Sequence, residues 1–344
     1  AGIYMSENNL YLFNTSYWDY SNQTDTEIAV WSWNQGNTHL HKFALQDFNY
    51  QGSAIVQGTL GWSNPKFRLG ELQDGSLALV TTDGQRRSEN HHLTVLATHD
   101  GTLNTIATLP NDEQPAAIGK PGENIYSVRF MQNRAYIVTF QKVDPLYVID
   151  LSNSSNPNIA GELEIPGFSD YLHPIGDDLL LGIGKDAKVG ASGTTWYQGV
   201  KVSLFNVSDI HNPLELGNIL IGKRGSNTAL SHEPHAFTGI QQDGQYRFAF
   251  PISVHDGEAS GQYWRDPESQ RYNWSNSGLY LFEIKDNTLT QAGSMITEQN
   301  DGTQNWGNWS QRRGLIQGDD VYHLSGEDLY KADWNNTGEM SEKF

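Results

Sequence analysis

Two stretches decide the fold: "LYVIDLSNSSNPNIAGELEIPG" (residues 146–167) and "VSLFNVSDIHNPLELGNILIG" (residues 202–222). Each consists of an apolar strand-like run, an Asn-Pro turn and a second run that contains a glycine. Pro157 and Pro213 are 56 positions apart, and the glycine four residues after each proline keeps that offset. The two stretches are therefore copies of one structural repeat.

A hairpin pattern precedes each copy, at residues 126–140 and 171–184. One repeat is thus four strands over roughly 50–60 residues, the length of a large propeller blade. We predict an all-β β-propeller of about six four-stranded blades, with room for more in a longer precursor. The predicted blades span residues 1–60, 61–120, 121–167, 168–225, 226–303 and 304–344.

The last predicted blade has three convincing strands, so its fourth would come from the N-terminus or from sequence outside this chain. Helical periodicity is nearly absent, and Gly, Asn, Asp and Pro clusters separate short apolar runs throughout. A tandem of β-sandwiches is the competing architecture, but it would need linkers, and no low-complexity stretch interrupts the alternation. The pattern favours one propeller whose innermost strands line a central channel.

The composition limits the classes of partner. The formal net charge of −18 would repel nucleic-acid backbones and anionic membranes, so we exclude both as partners. No apolar run approaches the roughly 18 residues that cross a bilayer. The chain has no cysteine, which excludes thiolate zinc sites and disulfides and suits an exported protein.

Residues 123–186, from "ENIYSVRFMQNRAYIVTF" to "LLLGIGKD", resemble the core of the secreted bacterial and archaeal β-propeller family that is distantly related to WD40 repeats. "GVKVSLFNVSDIHNPLELG" and "HAFTGI" continue the resemblance, as do "SENNLYLFNTSYW" and "QRRGLIQGDDVYHLS" near the two ends. The resemblance implies an exported protein. Family members usually carry further N-terminal, blade-like sequence, so it also implies a missing N-terminal portion of the precursor.

Ionisable residues recur at the position expected for the innermost strand of successive blades. Burying an unpaired arginine side chain in a strand without water would cost several kcal/mol of folding free energy. These positions therefore predict either a hydrated channel or a carboxylate that pairs with the arginine, and Glu71 is the candidate for that carboxylate. The predicted channel residues are Glu71, Arg129, His173, His235 and Arg312 or Arg313.

Three uses of this cluster remain open. It could be a salt-bridged plug that ties the blades together, or an anion site that uses the arginine fork. It could also hold a metal, Ca²⁺ or another divalent cation, through His173 and His235 with Asp170 or Glu71. "SHEPH" at residues 231–235 is a poor chelate, because Pro234 prevents the helix on which zincin motifs depend.

Several other polar groups are expected to be structural. The sequence predicts that the histidines of "NHHL" and "THLHK" lie on strand surfaces, and that the paired aspartates of two hairpin tips are turn residues rather than calcium ligands. These residues are His91, His92, His39, His41, Asp177, Asp178, Asp319 and Asp320.

The insertion "GQYWRDPESQRYNW" in the fifth blade carries Trp264, Tyr272 and Trp274. Exposed rings beside arginine could stack on a glycan or a protein partner, with Trp264 as the main contact. Equally, the insertion could fold over its own blade and bury those rings.

Two functions follow from these residues. The first is an exported, non-enzymatic scaffold that binds a protein, a glycan or a small anion at the channel mouth. The second is an extracellular hydrolase or lyase, metal-assisted or not, in which His173 or His235 is the general base and Arg129 stabilises developing negative charge.

Overall fold

The computed structural model describes residues 1–16, 36–61, 64–85, 88–140, 144–261, 266–300 and 312–341. Strands connected by turns dominate these residues, and the helices among them are short 3₁₀ turns at Pro65–Arg68, Ala229–Ser231, Pro234–Ala236 and Pro267–Ser269. None of the described helices has the length and apolarity needed to cross a membrane. The predicted all-β fold is confirmed.

The chain divides into two compact units, Ala1–Glu164 with Ile210–Pro213, and Ile165–Asp209 with Leu214–Phe344. The first three sheets belong mainly to the first unit, and each contains four strands paired with their neighbours in sequence. Their strands are β1 Gly2–Met5, β2 Asn9–Ser16, β3 Asn37–Ala44, β4 Tyr50–Gln57, β5 Leu69–Glu71, β6 Leu77–Gln85, β7 Ser88–His99, β8 Thr102–Leu109, β9 Asn124–Met131, β10 Arg134–Phe140, β11 Asp144–Asp150 and β12 Asn158–Ile165.

The second unit contains a four-stranded sheet, a five-stranded sheet and a three-stranded sheet. In the five-stranded sheet, β18 pairs with β19 beside the path β17-β19-β20-β21. The strands are β13 Phe168–Ile175, β14 Leu179–Val189, β15 Thr195–Asn206, β16 Leu214–Ile221, β17 Asn227–Thr228, β18 Thr238–Gln242, β19 Gln245–Ser260, β20 Arg271–Lys285, β21 Thr288–Gln299, β22 Arg312–Gln317, β23 Asp320–Ser325 and β24 Asp328–Asp333.

Local sequence explains the pairing of each hairpin. Three two-residue turns have both central residues at positive φ, which is the type I′ geometry that suits the twist of antiparallel strands. These turns are Asp100-Gly101, Asp243-Gly244 and Asp286-Asn287. Asp, Asn and Gly tolerate this backbone conformation better than other residues, so the turn residues that punctuate the sequence also set the strand register.

The core lies between neighbouring sheets. In the first unit, Tyr11 and Leu40 of the first sheet pack with Leu79 and Leu96 of the second in one apolar cluster. A separate cluster joins the second and third sheets. Middle strands such as β10 are buried along nearly their whole length, and Ala135 and Ile137 of β10 pack in the cluster with the second sheet. Outer strands such as β16 instead alternate between covered and exposed positions.

The described N-terminal strand does not complete the three-stranded sheet. β1 pairs with β2 through Tyr4 opposite Tyr11 and is the end strand of the first sheet. The sequence-based suggestion that the N-terminus supplies the fourth strand of the last blade is therefore wrong for the described residues.

Candidate functional site

Arg129, the charged residue in an otherwise apolar strand, lies in β9 of the first unit and is half-exposed. Its guanidinium carbon lies 4.9 Å from the ring centroid of Phe67, which belongs to the 3₁₀ turn Pro65–Arg68. A cation over an aromatic face gains favourable electrostatic energy while it stays in contact with water. The strand thus carries Arg129 without placing its charge in a dry core.

A pocket of about 340 Å³ surrounds this cation. β1, the 3₁₀ turn, the start of β5 and β9 all contribute to its wall. The lining residues are Ile3, Tyr4, Met5, Lys66, Phe67, Leu69, Arg129 and Phe130. Six of the eight are apolar or aromatic and the other two are cations, which is the composition of a site for an apolar ligand that carries negative charge.

Lys66 supplies the second positive charge. Its ammonium nitrogen lies 5.5 Å from the centroid of the same Phe67 ring. The turn that presents Lys66 starts at Asn64, which has a left-handed backbone (φ 46°), and Pro65 follows at the first position of the turn. Proline is preorganised for this position. Within the described part of the chain Lys66 forms no ion pair.

Glu71, which the sequence predicted as the partner of Arg129, bonds elsewhere. Its Oε2 accepts hydrogen bonds from the Tyr11 hydroxyl and from Nδ2 of Asn9, at 2.5 and 2.8 Å. The Tyr4 hydroxyl accepts a bond from the backbone N–H of Glu71 at 2.9 Å. The predicted Glu71–Arg129 ion pair is wrong among the described residues, because β2 brings two neutral donors to this carboxylate.

The tyrosines around Glu71 keep their protons. Burial raises the pKa of Tyr11 well above its usual range, and the hydrogen bond and charge of Glu71 raise it further. Burial also raises the pKa of Tyr4. Tyr4 is therefore a neutral hydroxyl in the pocket wall at physiological pH.

His173 lies in β13 of the second unit, within an aromatic cluster. Its Nε2 is 2.8 Å from the Tyr246 hydroxyl, and its Nδ1 is 3.2 Å from the Tyr171 hydroxyl. The Phe237 ring centroid lies 4.3 Å from the imidazole centroid. Burial raises the pKa of Tyr246 to about 12, so this partner stays protonated. Both ring nitrogens of His173 thus have tyrosine partners, an arrangement that fixes the ring instead of exposing a base.

His235 was predicted on an innermost strand, and this is wrong. It is exposed in the 3₁₀ turn Pro234–Ala236, and the strand β18 starts only at Thr238. The Glu233 side chain accepts a bond from the backbone N–H of His235, which caps the turn and keeps the chain out of the sheet.

The remaining predicted channel residues of the second unit have local partners. Arg313 Nη2 lies 3.3 Å from Glu233 Oε2. Arg312 is buried, and its Nη2 lies 2.7 Å from Glu298 Oε1.

Asp170 lies where the register of β13 against β14 shifts. Burial raises the pKa of Asp170 to about 7, although the positive charge of Lys185 acts in the opposite direction. No three metal-binding side chains meet in the described ranges, so His173, His235 and Asp170 form no metal cluster there.

One expectation about a histidine is corrected, and two turn aspartates have additional partners. His91 is only 4% exposed, so it is not a surface residue. Asp319 lies in the hairpin turn before β23, as predicted. In addition, Arg247 Nη1 lies 2.7 Å from Asp319 Oδ1, and Lys331 Nζ lies 2.8 Å from Asp320 Oδ2.

Trp264, proposed as the main contact of the fifth-blade insertion, lies outside the described residues. Tyr272 is half-buried, with Lys223 Nζ 4.4 Å from its ring centroid. Trp274 is also half-buried, and its indole N–H donates to Ser277 Oγ at 2.9 Å. These two rings are thus held against the second unit while each keeps some exposed surface.

The comparisons with known proteins identify the family. The family model of the beta propeller domain matches residues 1–337. The chain belongs to the beta propeller domain family.

An uncharacterised protein of Methanocaldococcus jannaschii is 44% identical to this propeller chain over 179 residues, 52% of the chain and 25% of that protein. An uncharacterised protein of Archaeoglobus fulgidus is 35% identical over 212 residues, 60% of the chain and 29% of that protein. The chain thus spans between a quarter and a third of the length of these relatives. Among solved structures, the Nup133 β-propeller domain of Vanderwaltozyma polyspora covers the whole chain at 10% identity, with a TM-score of 0.42.

Sequence reasoning identified Arg129 but missed Lys66, Phe67 and the β1 residues of the pocket. The Asn-Pro start of "NPKFR" was the available signal for a turn that presents Lys66. Nothing local links that turn to β9, because residues 66 and 129 meet only through the packing of two sheets.

Proposed function

We propose that the chain is a β-propeller binding module whose pocket in the first unit takes a small carboxylate with an apolar body. One observation carries this proposal: Lys66 and Arg129 both lie over the Phe67 ring and line one pocket. An anion bound in this pocket would meet positive charge from both side chains, and charge-assisted contacts with an anion are stronger than contacts between neutral groups.

The remaining pocket wall supports the apolar part of the ligand. Tyr4, Leu69 and Phe130 offer an aromatic and aliphatic surface next to the two cations. Arginine binds carboxylates through two parallel hydrogen bonds, and burying an apolar body adds roughly 25 cal/mol for each Å² removed from water. A protein whose net charge is −18 gains specificity for an anion only where positive charge is concentrated locally, as in this pocket.

A binding titration tests this function. We expect 3-(4-fluorophenyl)propionate, followed by ¹⁹F NMR, to bind at least about 10-fold more tightly than the corresponding primary amide and than acetate. A factor of 10 corresponds to about 1.4 kcal/mol, the size of one charge-assisted contact. Arg129→Met and Lys66→Met should each weaken binding of the acid about 10-fold.

Lys120→Met is the matched control, because Lys120 is a half-exposed lysine of the same unit that pairs with Glu164 and does not line the pocket. This variant should bind the acid as the original chain does. Equal binding of the acid and its amide, or unchanged affinity in both pocket variants, would contradict the proposed function.

A further inference from the structure

β1 is the end strand of its sheet and contributes to the pocket wall. Side chains of successive strand residues point to opposite faces of a sheet. Yet three consecutive residues, Ile3, Tyr4 and Met5, line the pocket. Such a lining is expected where a cavity passes around a strand edge, so we place the pocket beside the β1 backbone.

The hydrogen-bond register of the hairpin shows which backbone groups face that edge. The Ser6 N–H donates to the Asn9 carbonyl at 3.0 Å, so Ser6 and Asn9 are a hydrogen-bonded pair. Bonded and non-bonded pairs alternate along an antiparallel ladder. The backbone groups of Tyr4 and Tyr11 are therefore hydrogen-bonded to each other. The neighbouring pairs are not hydrogen-bonded; these are Met5 with Leu10 and Ile3 with Leu12.

The N–H and C=O groups of Ile3 and Met5 therefore point away from β2, to the outer side of this end strand. β1 is the end strand of its sheet, and no backbone partner for these two N–H groups is present in the described part of the chain. These two residues are 58% and 62% exposed. Edge strands are usually protected by Lys, Pro or a bulge, and β1 (Gly-Ile-Tyr-Met) has none of these.

We propose, on the basis of the proposed function, that the ligand of this pocket is the C-terminal segment of an extended peptide. The peptide adds a strand to β1 by bonding to the outward backbone groups of Ile3 and Met5. Lys66 and Arg129 hold its terminal carboxylate, and an apolar last side chain packs on Phe67 and Phe130.

Charge determines which peptides fit. The ligand brings one negative charge to the two cations of the pocket, whereas acidic residues upstream would face a protein of net charge −18. Peptides with basic or neutral upstream residues and an apolar C-terminal residue are thus favoured.

The experiment uses fluorescein-labelled Lys-Thr-Lys-Val-Thr-Phe with a free C-terminus, titrated with the whole chain by fluorescence anisotropy. We expect it to bind at least about 10-fold more tightly than 3-(4-fluorophenyl)propionate, because strand addition supplies backbone bonds that the small acid lacks. The C-terminal amide of the same peptide, and the Arg129→Met chain, should each lose about 10-fold or more.

N-methylation tests strand addition directly. Alternate N–H groups of an extended peptide point to the same side. One isomer is N-methylated at its second and fourth residues, and the other at its third and fifth. The affinities of the two isomers should therefore differ at least about 10-fold, and the tighter isomer should bind about as well as the unmethylated peptide.

The peptide proposal and the pocket proposal fail in different ways. If the peptide binds no more tightly than the small acid, or if the two methylated isomers bind equally, strand addition is wrong while the carboxylate pocket stands. If neither the acid nor the peptide binds, both proposals are wrong.

Discussion

His91 is a buried imidazole with a hydrogen-bond partner at each ring nitrogen. Nδ1 lies 3.0 Å from the Thr82 hydroxyl, and Nε2 lies 2.9 Å from the Glu123 carbonyl oxygen. Burial, together with the nearby charge of Arg68, lowers the pKa of His91 from its ordinary 6.5 to about 4. The folded protein therefore keeps His91 neutral at a pH where the unfolded chain already protonates it.

The consequence is a loss of stability in mild acid. As the pH falls from 6.5 toward 4, the unfolded state takes up a proton that folded His91 does not, so the free energy of unfolding decreases across this window. We expect His91→Gln to be less stable than the original chain near neutral pH, but to lose about 2 kcal/mol less between roughly pH 7.5 and pH 4.5. Urea unfolding at the two pH values measures the difference.

His232→Gln is the control for His91, because His232 is an exposed imidazole. Its stability should fall with pH in parallel with the original chain. A parallel fall in His91→Gln as well would show that His91 does not contribute to the acid sensitivity.

At the scale of elements, β5 and β9 approach closely at Gly70. A Cβ at this position would overlap Cγ and Cβ of Phe130, which are next to the backbone and cannot rotate away. Phe130 lines the pocket next to Arg129. The absence of a side chain at Gly70 thus allows the second and third sheets to hold the two sides of the pocket at the right distance.

Gly70→Ala should therefore destabilise the fold and weaken ligand binding together. Overpacking of a filled interface costs about 1–3 kcal/mol, and a displaced Phe130 moves the apolar wall of the pocket. Thermal unfolding and the fluorophenylpropionate titration measure the two effects. Gly217→Ala in β16 is the control, since a Cβ at that position would meet no atom within 4 Å and its φ is not positive. An equal effect of both substitutions would contradict this role of Gly70.

At the scale of the whole molecule, the net charge of −18 and the two pocket cations act on an anionic ligand over different distances. The Debye length falls from about 30 Å at 0.01 M to about 10 Å at 0.1 M ionic strength. Added salt therefore screens the long-range repulsion before it weakens contacts with Lys66 and Arg129.

The dependence of binding on salt should follow this order. Between about 0.01 and 0.1 M NaCl we expect the association rate of the fluorinated acid to rise about two- to fivefold, with no loss of affinity. Stopped-flow and NMR titrations at the two salt concentrations measure both quantities. A severalfold loss of affinity over the same range would show that the local field of the cations already dominates at low salt.

The sequence by itself determined the elements of this protein. Turn pairs such as Asp100-Gly101 accept the positive φ of tight hairpins, and the 56-residue offset between Pro157 and Pro213 exposed the repeat. The sequence also predicted Arg129 as a candidate site residue, because a charge in an apolar strand violates a local pattern. These patterns depend on residues that are close together in the chain, so they can be recognised from the sequence alone.

Only the tertiary structure decided which residues meet. Glu71 bonds to Tyr11, 60 positions away, instead of Arg129, and His91 is buried although its local pattern is that of a surface strand. Lys66 reaches the pocket from a turn that no periodicity links to β9. The physical reason is that alternating apolar and polar residues show on which face of a strand each side chain lies. The residues that this face contacts belong to another sheet, and packing sets the distance and register of that sheet.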